Sequence, residues 1–193
     1  MDNLSELIKN VGLTNQVRLE DIPAIDLYMD QVTQLFENTY HASKRNENEK
    51  VLTKTMINNY AKGKLLFPIE NKKYTKAHIM LIQLIYQLKG ALSINDIRIV
   101  LEKLNRKLDT KALAFEPIYQ QYIRMQDEQV QTFQDAVKTL HQAVEEKLSE
   151  VEVKDQAYIE QLLMVTSLIN MSNMYRKLAE RIVDQMEGTK DIK

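Results

Sequence analysis

The sequence contains no cysteine and no tryptophan, and its 193 residues include only four glycines and three prolines. Without cysteine, disulfide bonds and thiolate metal sites are excluded. So few glycines and prolines argue against collagen-like, low-complexity and turn-rich all-β chains. The chain has 44% hydrophobic and 27% charged residues instead, enough for a buried core beneath a solvated surface. These proportions predict a folded, mainly α protein.

Long apolar runs are also missing. The longest stretch without a charged residue, from Gln161 to Tyr175, has 15 residues and is interrupted by polar ones, whereas a membrane-spanning helix needs about 20 apolar residues. The first six residues lack both the basic flank and the apolar run of a secretion signal. We therefore expect a cytoplasmic protein with no membrane partner.

The net charge of −1 conceals a segregation of the two signs. From Lys44 to Lys76 there are nine basic and three acidic residues, a local charge of +6, and from Asp127 to Glu160 the local charge is −6. A basic segment in an otherwise acidic chain is typical of a phosphate-binding surface. On charge alone, an ordinary solvated face is the favoured explanation.

Helix-breaking residues divide the chain into periodic apolar segments. Thr53, Thr75 and Ser93 are candidate N-caps, and Ser93 followed by Asp96 resembles a capping box. The pattern predicts six helices, at about 23–43, 54–62, 76–89, 94–108, 116–149 and 154–187.

The first of the two long helices carries a nearly heptad apolar seam. An isolated two-helix hairpin buries only part of such a surface, so another partner is needed. We expect a homodimer, with packing against the N-terminal domain as the alternative. The expected dimerisation residues are Val130, Phe133, Val137, Leu140 and Val144.

The short helix at 54–62 has two opposite faces at 100° per residue. Met56, Ile57 and Tyr60 cluster on one face, and the other face has no carboxylate. Asn side chains read adenine, and Lys side chains reach guanine or phosphate in the major groove. The pattern predicts a recognition helix, although any surface helix could show this split. Its candidate DNA-binding residues are Lys54, Thr55, Asn58, Asn59 and Lys62.

Residues 65–75 read as a short extended segment, a polar turn at Asn71 and Lys72, and a return, which predicts a small β wing. Lys72 and Lys73 would hold backbone phosphates beside the groove. Tyr74 would either pack or bind a phosphate oxygen.

Three stretches, at 56–68, 73–75 and 92–97, together resemble the MerR family of bacterial transcription regulators. That family has a helix ending in tyrosine, a Gly-Leu-Leu-x-Pro turn, an Arg-Tyr wing and a second wing helix beginning Phe-Ser-Leu-x-Glu-Ile. This sequence has Lys73 in place of the wing arginine and Ile69 in place of the arginine after proline. The region is also similar to small bacterial proteins of unassigned function that carry a MerR-like domain.

The resemblance implies a winged helix-turn-helix over residues 17–108, after an N-terminal segment at 1–16. It implies a helical hairpin over 109–193 that dimerises, double-stranded DNA as partner, and a role in transcription regulation. The family's thiolate metal sensing is excluded here because cysteine is absent. No residue indicates a small-molecule effector.

Catalytic patterns are missing from the sequence. His41, His78 and His141 lie on separate predicted helices without metal-ligand spacing, and no glycine-rich phosphate loop is present. The acidic residues between Glu145 and Asp155 alternate with lysines and are typical of a solvated helix end. We expect no enzyme activity, no metal and no cofactor. The chief alternative is a helical adaptor whose basic face binds an acidic protein, followed by a metal-dependent helical hydrolase.

Overall fold

The computed structural model describes residues 4–188, and over this range the chain is mainly helical. Seven helices and two short strands follow one another in the described range. They are α1 (Leu4–Asn10), β1 (Leu27–Tyr28), α2 (Met29–Tyr40), α3 (Lys54–Lys62), β2 (Lys73–Tyr74), α4 (Lys76–Leu88), α5 (Ile94–Asp109), α6 (Glu116–Ser149) and α7 (Gln156–Gly188).

Three predicted helix starts are confirmed by their caps. The Thr53, Thr75 and Ser93 side chains accept hydrogen bonds from the third backbone N–H of α3, α4 and α5. The Asp96 carboxylate in turn accepts from the Ser93 backbone N–H at 3.2 Å. The ends of α6 and α7 also lie within two residues of the prediction, because strong apolar periodicity defines long helices well.

The prediction of a helix from residue 23 is wrong at its start. Residues Leu19–Asp21 form a single 3-10 turn, and α2 begins only at Met29. Leu27 is 5% exposed and pairs with Tyr74 as part of a strand, so this segment is extended by tertiary pairing. Gln31 Oε1 then accepts from the Tyr28 N–H at 2.8 Å and fixes the first turn of α2.

The predicted wing also differs from the observed sheet. The turn at Asn71 and Lys72 is confirmed, since both have positive φ (50° and 58°) and Lys73 N–H donates to Glu70 O at 2.9 Å. However, β2 pairs antiparallel with β1 rather than with the segment before the turn. Residues 65–70 form no strand, and Leu65 and Leu66 are buried in the core.

The main core lies among α2 to α5 and includes the start of α6. Phe115, Tyr119 and Ile123 belong to this cluster, and the Tyr119 hydroxyl donates to Val17 O at 2.5 Å. Arg18 binds Asp127 of α6 through two hydrogen bonds of 2.8 and 3.0 Å. The first turns of α6 are therefore part of the main core. A fragment that ends at residue 108 would lack this part of its core.

A second, smaller core joins the two arms of the long hairpin. Val137, Val144 and Leu148 of α6 pack with Met164 of α7, and Ile8 of α1 covers the same cluster. Helix α7 packs against α5 as well as α6. None of the described helices combines the length and apolar character needed to cross a membrane.

Buried His78 holds the segment before the turn. Its ring stacks on Phe67 with 3.7 Å between centroids, its Nδ1 accepts from Thr75 N–H at 3.1 Å, and its Nε2 lies 3.2 Å from Phe67 O. These partners require a neutral ring with its hydrogen on Nε2. Burial lowers the pKa of His78 below its ordinary value of 6.5.

We expect acid to destabilise the fold through His78. Below about pH 6.5 the unfolded chain binds a proton that the folded chain excludes, so the free energy of unfolding decreases by up to about 1.4 kcal/mol per pH unit. Urea denaturation at several pH values should show a shallower decrease for His78→Gln than for the unmodified chain. Equal pH dependence in both proteins would contradict this assignment.

Candidate nucleic-acid interface

Helix α3 exposes the face that the sequence predicts. Ile57 and Tyr60 anchor the helix in the core, at 0% and 4% exposure. The five predicted contact residues on its other face are all exposed, namely Lys54, Thr55, Asn58, Asn59 and Lys62. The polar face of α3 is therefore accessible over its whole length.

An open groove of about 550 Å³ runs from α3 to the turn before β2. It is bounded by three parts of the chain: the start of α2, the first turns of α3, and the segment around the 71–72 turn. Its lining residues are Tyr28, Met29, Asp30, Lys54, Asn58, Ile69, Lys72 and Tyr74. The sequence predicts DNA-binding residues on α3 and at the 71–72 turn from two separate patterns. Members of both groups thus line one groove.

Four predicted contact residues lie outside the groove lining. Thr55, Asn59 and Lys62 continue along the exposed face of α3. Lys73 is half-buried, and its Nζ lies 5.5 Å from the centroid of the Tyr28 ring in a cation–π contact. The Lys73 side chain is therefore held against β1, although its charge stays at the surface.

Tyr74 is 3% exposed and meets the His78 ring edge-on at 6.0 Å between centroids. Burial raises the pKa of Tyr74. Of the two roles considered for this residue, the structure supports packing.

Tyr28 and Asp30 also line the groove, although neither was predicted from the sequence. The Asp30 carboxylate forms an ion pair with Lys54, and both side chains are largely exposed. No local signal identifies these two residues, because they reach the groove through the pairing of β1 with β2. Asp30 partly offsets the positive charge on the α2 side of the groove.

Two lysines near the groove have a left-handed backbone, which favours glycine. Lys72 has φ 58° in the turn, and Lys64 has φ 57° directly after α3. At Lys64 the helix closes with hydrogen bonds from Leu65 N–H to Tyr60 O and from Lys64 N–H to Ala61 O, the Schellman arrangement. Among the described residues, Lys62, Lys64 and Lys72 form no ion pair. The positive charges of these three lysines are thus available to a partner.

The comparison with protein families locates this groove within a known domain. The family model DUF1836, a domain of unknown function, matches residues 17–122, more than half of the chain. The chain belongs to the DUF1836 family. No curated protein and no solved structure matches it. The DUF1836 region contains the whole groove and extends to Tyr122 in α6, so it includes the part of α6 that packs in the main core.

Beyond the DUF1836 region, the predicted dimerisation seam is divided between two environments. Val137 and Val144 are buried inside the chain's own hairpin, at 4% and 7% exposure. Leu140 is half-buried in the same cluster, whereas Val130 is half-buried and Phe133 is 42% exposed. The part of the seam near the turn is therefore already covered within one chain.

Helix α7 also has an apolar face, and the part of this face toward its C-terminal end is exposed to water. Tyr175, Leu178 and Ile182 are 70%, 62% and 52% exposed. They continue the three- and four-residue spacing of buried Met164 and half-buried Leu168, so they lie on the same helical face. The face of α7 that packs against α6 near the connection between the two helices is therefore exposed to water farther along α7.

Proposed function

We propose that this DUF1836 protein is a sequence-specific DNA-binding regulator of transcription. In this proposal α3 enters the major groove, and the turn at Asn71 and Lys72 lies on the phosphate backbone. The observation that carries the proposal is the groove in which Lys54 and Asn58 of α3 meet Lys72. Amides that can read bases and lysines that can neutralise phosphates are the two chemistries a DNA-reading surface needs.

The dimensions of α3 support this role. An α-helix with its side chains is about 10–12 Å in diameter, which fits a major groove about 12 Å wide, and the nine residues of α3 give it a length of about 14 Å. In this proposal α2 and α3 form the helix-turn-helix, and β2 follows α3 while pairing with β1, which precedes α2. On this proposal β2 and the preceding turn serve as the wing, and α4 and α5 support it.

We also propose that the chain acts as a homodimer. The open apolar face of α7 and the exposed Phe133 leave large apolar side chains in water within one chain, as is typical of a protein–protein interface. A second copy offers the same face, so a two-fold interface buries both at once. Such a dimer would present two α3 helices to two half-sites.

Selection from a random-sequence duplex library tests the function. The full-length chain at physiological salt should enrich one sequence with two related halves. A chain that enriches no sequence but binds polyglutamate would instead favour the adaptor with an acidic protein partner.

We expect Lys72→Gly to change stability and DNA affinity in opposite directions. Glycine relieves the left-handed backbone at Lys72 and should raise the free energy of unfolding by up to about 1 kcal/mol. Loss of the charge should weaken binding to all sequences and lower the salt slope of log K by about one unit.

The matched variants are Lys72→Ala and Lys111→Gly. Lys72→Ala should lose the same DNA affinity without the gain in stability. Lys111 has φ 52° at the end of α5 and lies outside the groove lining, so Lys111→Gly should gain stability and bind DNA normally. Unchanged DNA affinity in both Lys72 variants would remove the turn from the interface.

A further inference from the structure

Three side chains with metal-binding chemistry meet between the arms of the hairpin. His141 and Glu145 lie one turn apart on α6, and Glu160 lies on α7. His141 Nε2 is 2.7 Å from Glu160 Oε1, and His141 Nδ1 is 3.8 Å from Glu145 Oε2. One candidate ligand atom from each residue lies within 4.8 Å of the others. The sequence could not show this cluster, because Glu160 is contributed by the other arm.

The surroundings of the three side chains differ. The His141 and Glu160 side chains are 15% and 14% exposed, whereas that of Glu145 is 56% exposed. Val144 and Met164, the neighbours of His141 and Glu160 at three and four residues along their helices, are buried in the hairpin core. Apolar packing therefore shields the cluster on one side, while the Glu145 side opens to water.

We propose that His141, Glu145 and Glu160 bind a Zn²⁺ ion that links α6 to α7. Zn²⁺ accepts both imidazole nitrogen and carboxylate oxygen, and three protein ligands leave the fourth tetrahedral position to water. The open side at Glu145 leaves room for that water. The imidazole ligand disfavours Mg²⁺ and Ca²⁺, which take oxygen ligands.

The ion needs only side-chain movement. Tetrahedral Zn²⁺ with bonds of about 2.1 Å separates its ligands by about 3.4 Å. Zn²⁺ would replace the His141 to Glu160 hydrogen bond: the bound imidazole nitrogen releases its proton to water, and the exposed Glu145 side chain turns inward by its own torsions.

The competing explanation is a simple ion pair between His141 and Glu160. A second His–Glu pair provides the comparison. His41 directly follows α2, and its Nδ1 lies 3.3 Å from Glu37 Oε1 on that helix. Among the described residues, that pair belongs to no three-residue group with metal-ligand geometry. If a His–Glu pair alone were sufficient for Zn²⁺ binding, both sites would bind the ion.

The test is isothermal titration of the chelator-treated, full-length chain with Zn²⁺. We expect one ion per chain and a melting temperature that rises with Zn²⁺ concentration. His141→Ala and Glu160→Gln should each weaken binding at least about tenfold. His41→Ala should bind Zn²⁺ normally, and Mg²⁺ should not bind at the site.

A spectroscopic measurement keeps the proposal testable if a variant is poorly folded. Co²⁺ in the unmodified chain should give the intense visible absorption of tetrahedral coordination, and added Zn²⁺ should abolish it. Glu160→Gln retains the shape of the side chain, so its circular dichroism without metal should match the unmodified chain. Two results would overturn the proposal. One is that the unmodified chain does not bind Zn²⁺, and the other is that folded His141→Ala and Glu160→Gln bind Zn²⁺ as tightly as the unmodified chain. Neither result depends on whether the protein binds DNA.

Discussion

Replacing Asn58 with alanine is expected to weaken binding to the selected target duplex by about 1–3 kcal/mol, which is the value of a bidentate base contact. Binding to a random duplex should change far less, because nonspecific affinity comes from phosphate contacts. Asn58 is exposed on α3 and lines the groove beside Lys54. Fluorescence anisotropy on both duplexes, at one fixed salt concentration, measures the difference.

The matched control is Asn38→Ala. Asn38 is also an exposed amide on a helix, but it lies on α2 and lines a different groove. Its replacement should leave both affinities unchanged. If Asn58→Ala loses the same free energy on target and random duplexes, α3 does not read bases through this residue.

Charging the open face of α7 is expected to produce monomers. In Leu178→Asp combined with Ile182→Asp, two exposed apolar side chains become carboxylates that an interface between copies would have to bury without partners. Sedimentation at micromolar concentration should shift from dimer to monomer. Affinity for the two-half target should fall by about 10²-fold or more, because the second half-site no longer binds at high effective concentration.

Val165→Asp is the control on the same helix. Val165 is 59% exposed, comparable to Leu178 at 62%, but lies on another face of α7. Its replacement should leave the dimer and its DNA affinity intact. A monomeric unmodified chain, or normal target binding by the doubly charged variant, would contradict the dimer proposal. Val137→Asp is a poorer test, because Val137 is buried within the hairpin of its own chain.

Local sequence signals predicted the helices α3 to α7 well, whereas α1 was not predicted and α2 begins six residues later than predicted. Thr53, Thr75 and Ser93 cap the helices they were expected to cap, because an N-cap bonds to a residue only three positions away. The amphipathic split of α3 was likewise readable, since Ile57 and Tyr60 repeat at helical spacing.

Features that depend on distant pairing could not be predicted. The strand at Leu27–Tyr28 forms only because Tyr74 and Lys73 lie opposite it, and two-residue strands carry no periodic signal. For the same reason Tyr28 and Asp30 were missed at the groove, and Glu160 was missed beside His141. The end of α3 shows a subtler limit. Glycine favours the left-handed conformation, yet after α3 it is Lys64 and not the neighbouring Gly63 that adopts it.

The dependence of DNA affinity on salt tests the central claim most directly. For the full-length chain on a duplex, log K should fall linearly with log salt, with a slope near −0.9 for each phosphate neutralised. The combined variant Lys62→Ala and Lys72→Ala, which removes two lysines that form no ion pair among the described residues, should make that slope shallower by about two units. A full-length chain that does not bind duplex DNA at about 50 mM salt, or a double variant with an unchanged slope, would contradict the assignment of this groove to DNA.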